Sequence, residues 1–247
     1  MPGGLDLIVP DWPAPPGISG FFTTRAGGAS EGEFASLNLG LHVGDNEQAV
    51  RENRRRLVAL LPAEPLWLNQ VHGTSVITIN DDNLNVPVAD ASSTRLSRRP
   101  CAVLVADCLP VLFCDNTGSS VAAAHAGWRG LAAGVLERTV ESMSVTPANV
   151  MAWMGPAIGA SAFEVGQDVV DSFAQSSSTA RAAFQAIEEK PGKYLADIYL
   201  LARQRLESAG VKQVYGGQFC TVSDPSRFFS YRRDGRCGRM AAVIWRE

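Results

Sequence analysis

Histidine is scarce in this chain. Only His42, His72 and His125 occur in 247 residues, so any chemistry that needs imidazole has three candidates. Cysteine is nearly as sparse: Cys101, Cys108, Cys114, Cys220 and Cys237 form an odd set of five with no CxxC pair. That argues against a disulfide framework and fits reduced thiols in a cytoplasm. Basic charge is not in excess, since 22 Lys and Arg face 25 Asp and Glu for a formal net charge of -3. With no global positive field, nucleic acid is not an expected partner. No apolar run approaches the roughly 18–20 residues of a membrane span, because Asp107, Cys108, Pro110 and Asp115 cut the richest stretches. No membrane is expected as a partner. The opening MPGGLDLIVPDWPAPPG lacks a basic cluster followed by an apolar core, so export is not expected. Repeats, low-complexity tracts and linkers are also missing, which makes one domain over residues 1–247 the expectation.

What is present suffices for a sizeable core: 46% of the residues are hydrophobic and 19% charged. The pattern predicts a helix from Asp45 to Leu61, with Asp45 and Gln48 as a capping box, Val50, Leu57, Val58 and Leu61 as its apolar stripe, and Pro62 as its stop. Further helices are expected over Gly130 to Met143, Asp168 to Ala174 and Tyr194 to Ala209, the last ending at Gly210. Strand character marks Leu66 to Val71, Ser75 to Ile79, Cys101 to Ala106, Val121 to His125, Val150 to Met154, Gly217 to Val222 and Arg239 to Trp245. Cys101 to Ala106 is apolar on both alternating faces, as in a strand covered from both sides. Without a regular βαβ rhythm, these elements imply an α+β sandwich of mixed sheets flanked by helices rather than a doubly wound sheet.

Three chemically able side chains fall at the ends of apolar strands. His72 closes QVHG, His125 closes VAAAHAGWRG with Gly127 and Gly130 turning the backbone beside it, and Cys108 follows VLVADCLP, where Pro110 is expected to terminate the ladder. They are too far apart in sequence for a local metal loop, so the fold has to bring them together. Two imidazoles and a thiolate suit zinc and leave a fourth tetrahedral position open. Two other readings stand beside this one. In the first, Cys108 is a small core residue and each histidine a hydrogen-bonding strand end. In the second, Cys108 is a nucleophile deprotonated by His72 or His125. Asp107 reads equally as an acceptor ordering one imidazole or as a solvated strand end.

The first helix carries an anomaly, since Arg54 falls inside the apolar stripe while Arg51, Arg55 and Arg56 fall beside it. An inward guanidinium asks for an anion, either an internal Asp or a ligand phosphate, ribose or carboxylate. Arg25, Arg129, Arg232 and Arg233, all in glycine-containing turns, are candidates to add to an anion pocket, with solvation or a structural hydrogen bond as the plainer reading of each.

The ordered motifs SLNLGLHVGD, ENRRRL, QVHG, ADCLPVLF, HAGWRG, GPAIG, FEVG and FFSYRRDG, from about Phe21 to Trp245, resemble those of the YfiH or laccase-domain family of bacterial proteins. The resemblance implies a fold likened to the catalytic domain of cytotoxic necrotizing factor, a cysteine-hydrolase type of α/β sandwich. It implies zinc on His72, Cys108 and His125, with copper as another occupant, and a substrate-contacting arginine at Arg54. It implies purine nucleoside phosphorylase activity on adenosine, inosine and methylthioadenosine, with adenosine deamination, so that purine nucleosides and phosphate are the expected partners. Peptidoglycan-precursor editing and an older polyphenol oxidase label also attach to the family. They frame the alternatives of a cysteine-dependent amidase and a metal-binding structural protein without catalysis. A multicopper oxidase is excluded by the shortage of imidazole. The H-x-E and P-C-x-x-C signature of nucleobase deaminases is absent, so any attack of water at purine C6 has to use the His–Cys–His set instead.

Overall fold

Alternation along the central strands sorts apolar side chains onto two faces, and that sorting builds the layers. The computed structural model describes residues 4–80, 86–175 and 178–247. A four-stranded sheet runs in the order β1 (Leu7–Ile8), β2 (Ile18–Thr23), β13 (Met240–Arg246), β5 (Cys101–Val105). A six-stranded mixed sheet runs β12 (Gln213–Gly216), β8 (Val150–Met154), β6 (Leu109–Asp115), β7 (Val121–Ala126), β4 (Ala91–Thr94), β3 (Val76–Thr78). A small third sheet orders β10 (Phe184–Ala186), β11 (Lys193–Ala196) and β9 (Glu164–Gly166). The helices are α1 (Glu47–Val58), α2 (Trp128–Ala133), α3 (Val135–Ser142), α4 (Gln167–Ala174), α5 (Ile198–Ser208) and the short α6 (Tyr231–Asp234).

On β6, Leu109, Val111 and Phe113 pack with Leu136 and Val140 of α3 and Leu201 and Leu206 of α5. The opposite face of the same strand puts Leu112 and Cys114 against Val103 and Val105 of β5 and Met240 and Ala242 of β13. The outer face of the four-stranded sheet, with Ala102, Leu104 and Val243, is covered by Leu57 of α1 together with Leu37, Leu39 and Trp67. The result is four layers: α1 and its loops, the smaller sheet, the larger sheet, and helices α2 to α5. This is the expected sandwich, and β5 is buried on both faces as its sequence implied. No helix among the described residues is long and apolar enough to cross a membrane.

Local chemistry moved several boundaries. Asn46 rather than Asp45 caps α1, its side chain accepting from the backbone N–H of Gln48 at 2.9 Å and of Ala49 at 3.1 Å. The helix expected over Gly130 to Met143 breaks in two at Gly134, whose φ of 99° stops α2. The expected helix from Tyr194 starts only at Ile198, capped by Asp197, because the preceding residues are drawn into β11. Leu66 to Val71 makes only isolated bridges, at Leu66 and Asn69, and Gly217 to Val222 is not a strand. Pro110 does not end a ladder. It is the second residue of β6, opposite His125, and its carbonyl accepts from Gly155 N–H at 2.9 Å.

Candidate metal centre and the pocket around it

The chain crosses from the smaller sheet to the larger one in three residues, Ala106 to Cys108, between the end of β5 and the start of β6. Asp107 makes the crossing with φ of 84°, a left-handed conformation that costs a non-glycine residue on the order of 1–3 kcal/mol. Its buried carboxylate offsets that cost by accepting from Thr221 Oγ1, Ser230 Oγ and Arg232 N–H. Asp107 is therefore neither solvated nor the partner of an imidazole. It fixes the turn that aims Cys108.

The partner of an imidazole is Asp90, which the sequence reading did not single out. It is fully buried just before β4, and its Oδ1 lies 2.8 Å from His125 Nδ1. The same carboxylate accepts the backbone N–H groups of Val71, His72 and Gly73 at 3.2, 2.8 and 2.7 Å. His72 takes φ of 61° in this turn, which curls three successive donors around one anion. One side chain thus holds the QVHG loop and the His125 ring in register, leaving Nε2 of His125 for other partners.

Those partners converge. One donor atom from each of His72, Cys108 and His125 lies within 4.8 Å of the others. Cys108 Sγ is 3.6 Å from His72 Nε2, and the two rings meet edge to face at 4.7 Å. Burial pushes the Cys108 thiol up, but His125 and His72 outweigh it and bring the pKa down to about 6. Burial likewise lowers His125, while Cys108 and Asp90 outweigh it and raise its pKa to about 9. A thiolate beside an imidazolium results. Gly127 keeps the space next to them clear: a Cβ there would stand 2.6 Å from His72 Cδ2 and 3.2 Å from Cys108 Sγ.

The three residues open into a cavity of about 540 Å³. Trp128, Phe163 and Ile198 give it an apolar wall, and Arg129, Arg232 and Arg239 bring cations to it. Arg129 lies over the Trp128 ring at 4.3 Å. Arg232 donates to Glu164 O at 2.9 Å. His42 lines the same cavity and was not singled out from the sequence.

Arg54 is not among the lining residues. It stacks on Trp67 at 4.0 Å and donates from Nε to Leu39 O at 2.9 Å, with its pKa lowered to about 10 by burial. The internal Asp partner considered for it is not found: among the described residues no carboxylate lies within ion-pair distance. Arg25 and Arg233 are structural, held by the carbonyls of Ala35 and Pro225 and of Thr221, Val222 and Phe228 respectively.

The family model described as multi-copper polyphenol oxidoreductase laccase matches residues 19–247. The chain belongs to this family. Among its relatives, a purine nucleoside phosphorylase of Pseudomonas aeruginosa is 53% identical over 96% of this chain and 97% of its own. Purine nucleoside phosphorylase YfiH of Escherichia coli is 53% identical over 97% and 98%. A crystal structure from Neisseria meningitidis superposes with a TM-score of 0.94 at 52% identity, covering 98% of this chain and 99% of that one. The structure of YlmD from Geobacillus stearothermophilus gives 0.83 at 35%, covering 94% and 93%. The laccase family description meets the same limit as before, since His42 is the one histidine left outside the His–Cys–His cluster.

Proposed function

We propose that this chain is a purine nucleoside phosphorylase that also deaminates adenosine, working as one domain over residues 1–247 in the reducing cytoplasm with zinc on His72, Cys108 and His125. The observation that carries the reading is the convergence of two imidazoles and one thiol in the lining of a pocket that arginines also line. The donors fit zinc on chemistry: a borderline-soft nitrogen and sulfur set, a cysteine already drawn to thiolate, a ring locked by Asp90, and a glycine keeping one side free. Copper suits the same donors. Zinc held there supplies Lewis acidity beside the bound nucleoside.

The chain's own groups supply the rest. Trp128 and Phe163 offer flat faces for a purine. The substrate contact expected of Arg54 needs it to reach the ligand from outside the cavity lining, where it stacks on Trp67, and the pocket arginines balance the charge of phosphate. A phosphate oxygen bonds to ribose C1′ as the bond from C1′ to the purine nitrogen breaks, and the purine keeps that electron pair. The proton that hydrogen phosphate gives up is the one the purine takes, so ribose 1-phosphate and free base result. Holding both reactants in one cavity is the main contribution expected of the protein. In deamination, the oxygen of water bonds to purine C6 and ammonia leaves, converting adenosine to inosine.

A second reading is favoured by one observation, the Cys108 to His125 to Asp90 relay, which matches the order of groups in a thiol hydrolase. There Cys108 Sγ would attack an amide carbon, His125 would protonate the departing amine, and water would release the acyl group. Phosphate-dependent release of hypoxanthine from inosine separates the two. The phosphorylase reading expects release by the wild type, loss with a chelator, and loss in Cys108→Ala. An inert wild type whose amidase activity is blocked by thiol alkylation would overturn it. A protein that only loses thermal stability on chelation, and turns over neither substrate, would support a structural metal site.

A further inference from the structure

No step above uses the SLNLGLHVGD segment, yet its His42 lines the cavity together with Arg239. The segment is irregular and firmly tied. Asn38, fully buried, accepts through Oδ1 from Gly40 N–H and Arg239 N–H, both at 2.9 Å, and donates through Nδ2 to Asp45 at 2.9 Å. Leu39 N–H donates to Arg239 O at 3.0 Å, and Arg54 Nε returns to Leu39 O. Arg236 Nε reaches Val43 O at 3.3 Å from the far side. A Cβ on Gly40 would stand 2.9 Å from Arg239 Cγ and 3.2 Å from its Cβ, so the bare Cα of Gly40 is the space through which the arginine stem runs. Loop and arginine are built around each other, and a 3-10 turn at Leu41–Val43 presents His42 beside them.

Among the described residues, neither Arg239 nor Arg54 is ion-paired to a carboxylate, although Arg54 feels the charge of Glu64. Arg239 is fixed by Nη1, which donates to Cys237 O at 2.9 Å and Gly238 O at 3.0 Å, while its Nε and Nη2 have no acceptor among the described residues. Among the same residues Nη1 and Nη2 of Arg54 also have none. The nearby carboxylates are engaged elsewhere: Asp45 by Asn38 and the Asn46 N–H, Glu64 by Trp67 Nε1, and Glu33 by Arg236. His42 feels this field, since burial and then Arg239 and Arg54 push its pKa below the ordinary value. A neutral imidazole in the field of two guanidinium groups can donate a hydrogen bond to an anion without adding to their mutual repulsion. The other cationic wall differs. Arg232 is held by backbone carbonyls with the Glu164 carboxylate nearby, and Arg129 lies exposed on an aromatic face.

We infer that His42 and Arg239 form the phosphate seat of this pocket, with Arg54 behind them, and that the Trp128 and Phe163 wall is left to the nucleoside. The inference rests on the phosphorylase reading, so binding of phosphate is measured apart from turnover. The zinc-loaded full chain is titrated with inorganic phosphate by calorimetry. Initial rates are then taken with inosine and phosphate varied separately, in the wild type and in His42→Asn, Arg239→Gln and Arg129→Gln.

Loss of charge-assisted hydrogen bonds in Arg239→Gln should weaken phosphate binding and raise KM for phosphate by about tenfold or more, with KM for inosine changed by less than about twofold. His42→Asn, at an exposed side chain that the fold does not need, should raise KM for phosphate by roughly threefold to tenfold, the range of one neutral hydrogen bond. The seat is overturned if these variants raise KM for inosine instead, if only Arg129→Gln loses phosphate, or if the wild type binds no phosphate at millimolar concentration. Phosphate held through His42 and Arg239 by a protein that leaves inosine intact would uphold the seat and sink the phosphorylase reading. Phosphorolysis untouched in both variants would do the reverse.

Discussion

Asp90 and Asp107 are both buried carboxylates at strand ends beside the same pocket, and they hold different things. Asp90 grips an ionisable ring and three consecutive backbone donors. Asp107 grips two hydroxyls and one backbone donor from the segments at Thr221 and Ser230 to Arg232. The first sets the charge and orientation of a metal-ligand candidate, and the second sets the path of the chain that delivers Cys108. A carboxylate next to a reactive residue in sequence is therefore not the one that tunes it. Hydrogen bonds to a titrating ring do that, wherever they come from.

The sharpest break of this distinction comes from Asp90→Ala. Three backbone donors and the His125 ring lose their acceptor together, which should cost about 3–5 kcal/mol of stability in a denaturant melt and weaken zinc binding by at least about tenfold. Asp107→Asn keeps one carbonyl oxygen, so a smaller loss of about 1–3 kcal/mol is expected, with zinc affinity changed far less than in Asp90→Ala. Equal damage to zinc binding from both would erase the difference between them. Gly127→Ala sharpens the comparison from a third side. The added methyl crowds His72 and Cys108, so zinc affinity should fall about tenfold and stability by about 1–3 kcal/mol, all of it from crowding, since the backbone conformation itself accepts an alanine.

The smallest effect on stability, and the most specific, is in the pH response of the metal-free protein. The depressed pKa of Cys108 gives stability that is lost as pH falls from 9.0 through about 6. The raised pKa of His125 gives stability that is lost as pH rises from 6.5 through about 9. Across the overlap the two slopes oppose, so stability should be flat there. Alkylation, in contrast, follows the thiolate alone. Cys108 should react with a midpoint of about 6, while Cys101 and Cys114, whose thiols burial pushes up to about 12, stay silent. In Asp90→Asn the Cys108 midpoint should rise, because the imidazolium beside the thiolate loses its own partner. An unchanged midpoint would separate Asp90 from the pair.

The layered fold was legible because the apolar runs of β5, β7 and β8 leave a pattern in one dimension, and Cys108 and His125 because they stand just after β5 and near the end of β7. His72 follows only an apolar run with isolated bridges, and its place is set by the turn wrapped around Asp90. Asp90 was not legible, since a single carboxylate before the small residues of β4 looks like any strand-end Asp, and its four donors come from elsewhere in the chain. β6 was passed over because Pro110 reads as a breaker, yet a proline at a strand start forfeits only one donor. Arg54 was correctly seen as turned inward, but its partner is an aromatic face and a carbonyl, which no charge pattern announces. His42 has no apolar strand before it. Its place is set by Asn38 and Arg239, on segments about two hundred residues apart.

Metal content tests most directly the central claim that His72, Cys108 and His125, brought from three distant parts of the chain, close on one metal ion. Elemental analysis of protein purified without added metal should find one zinc per chain in the wild type and little in Cys108→Ala or His125→Ala. A wild-type chain that is folded, metal-free and unable to take up zinc or copper on titration would contradict it.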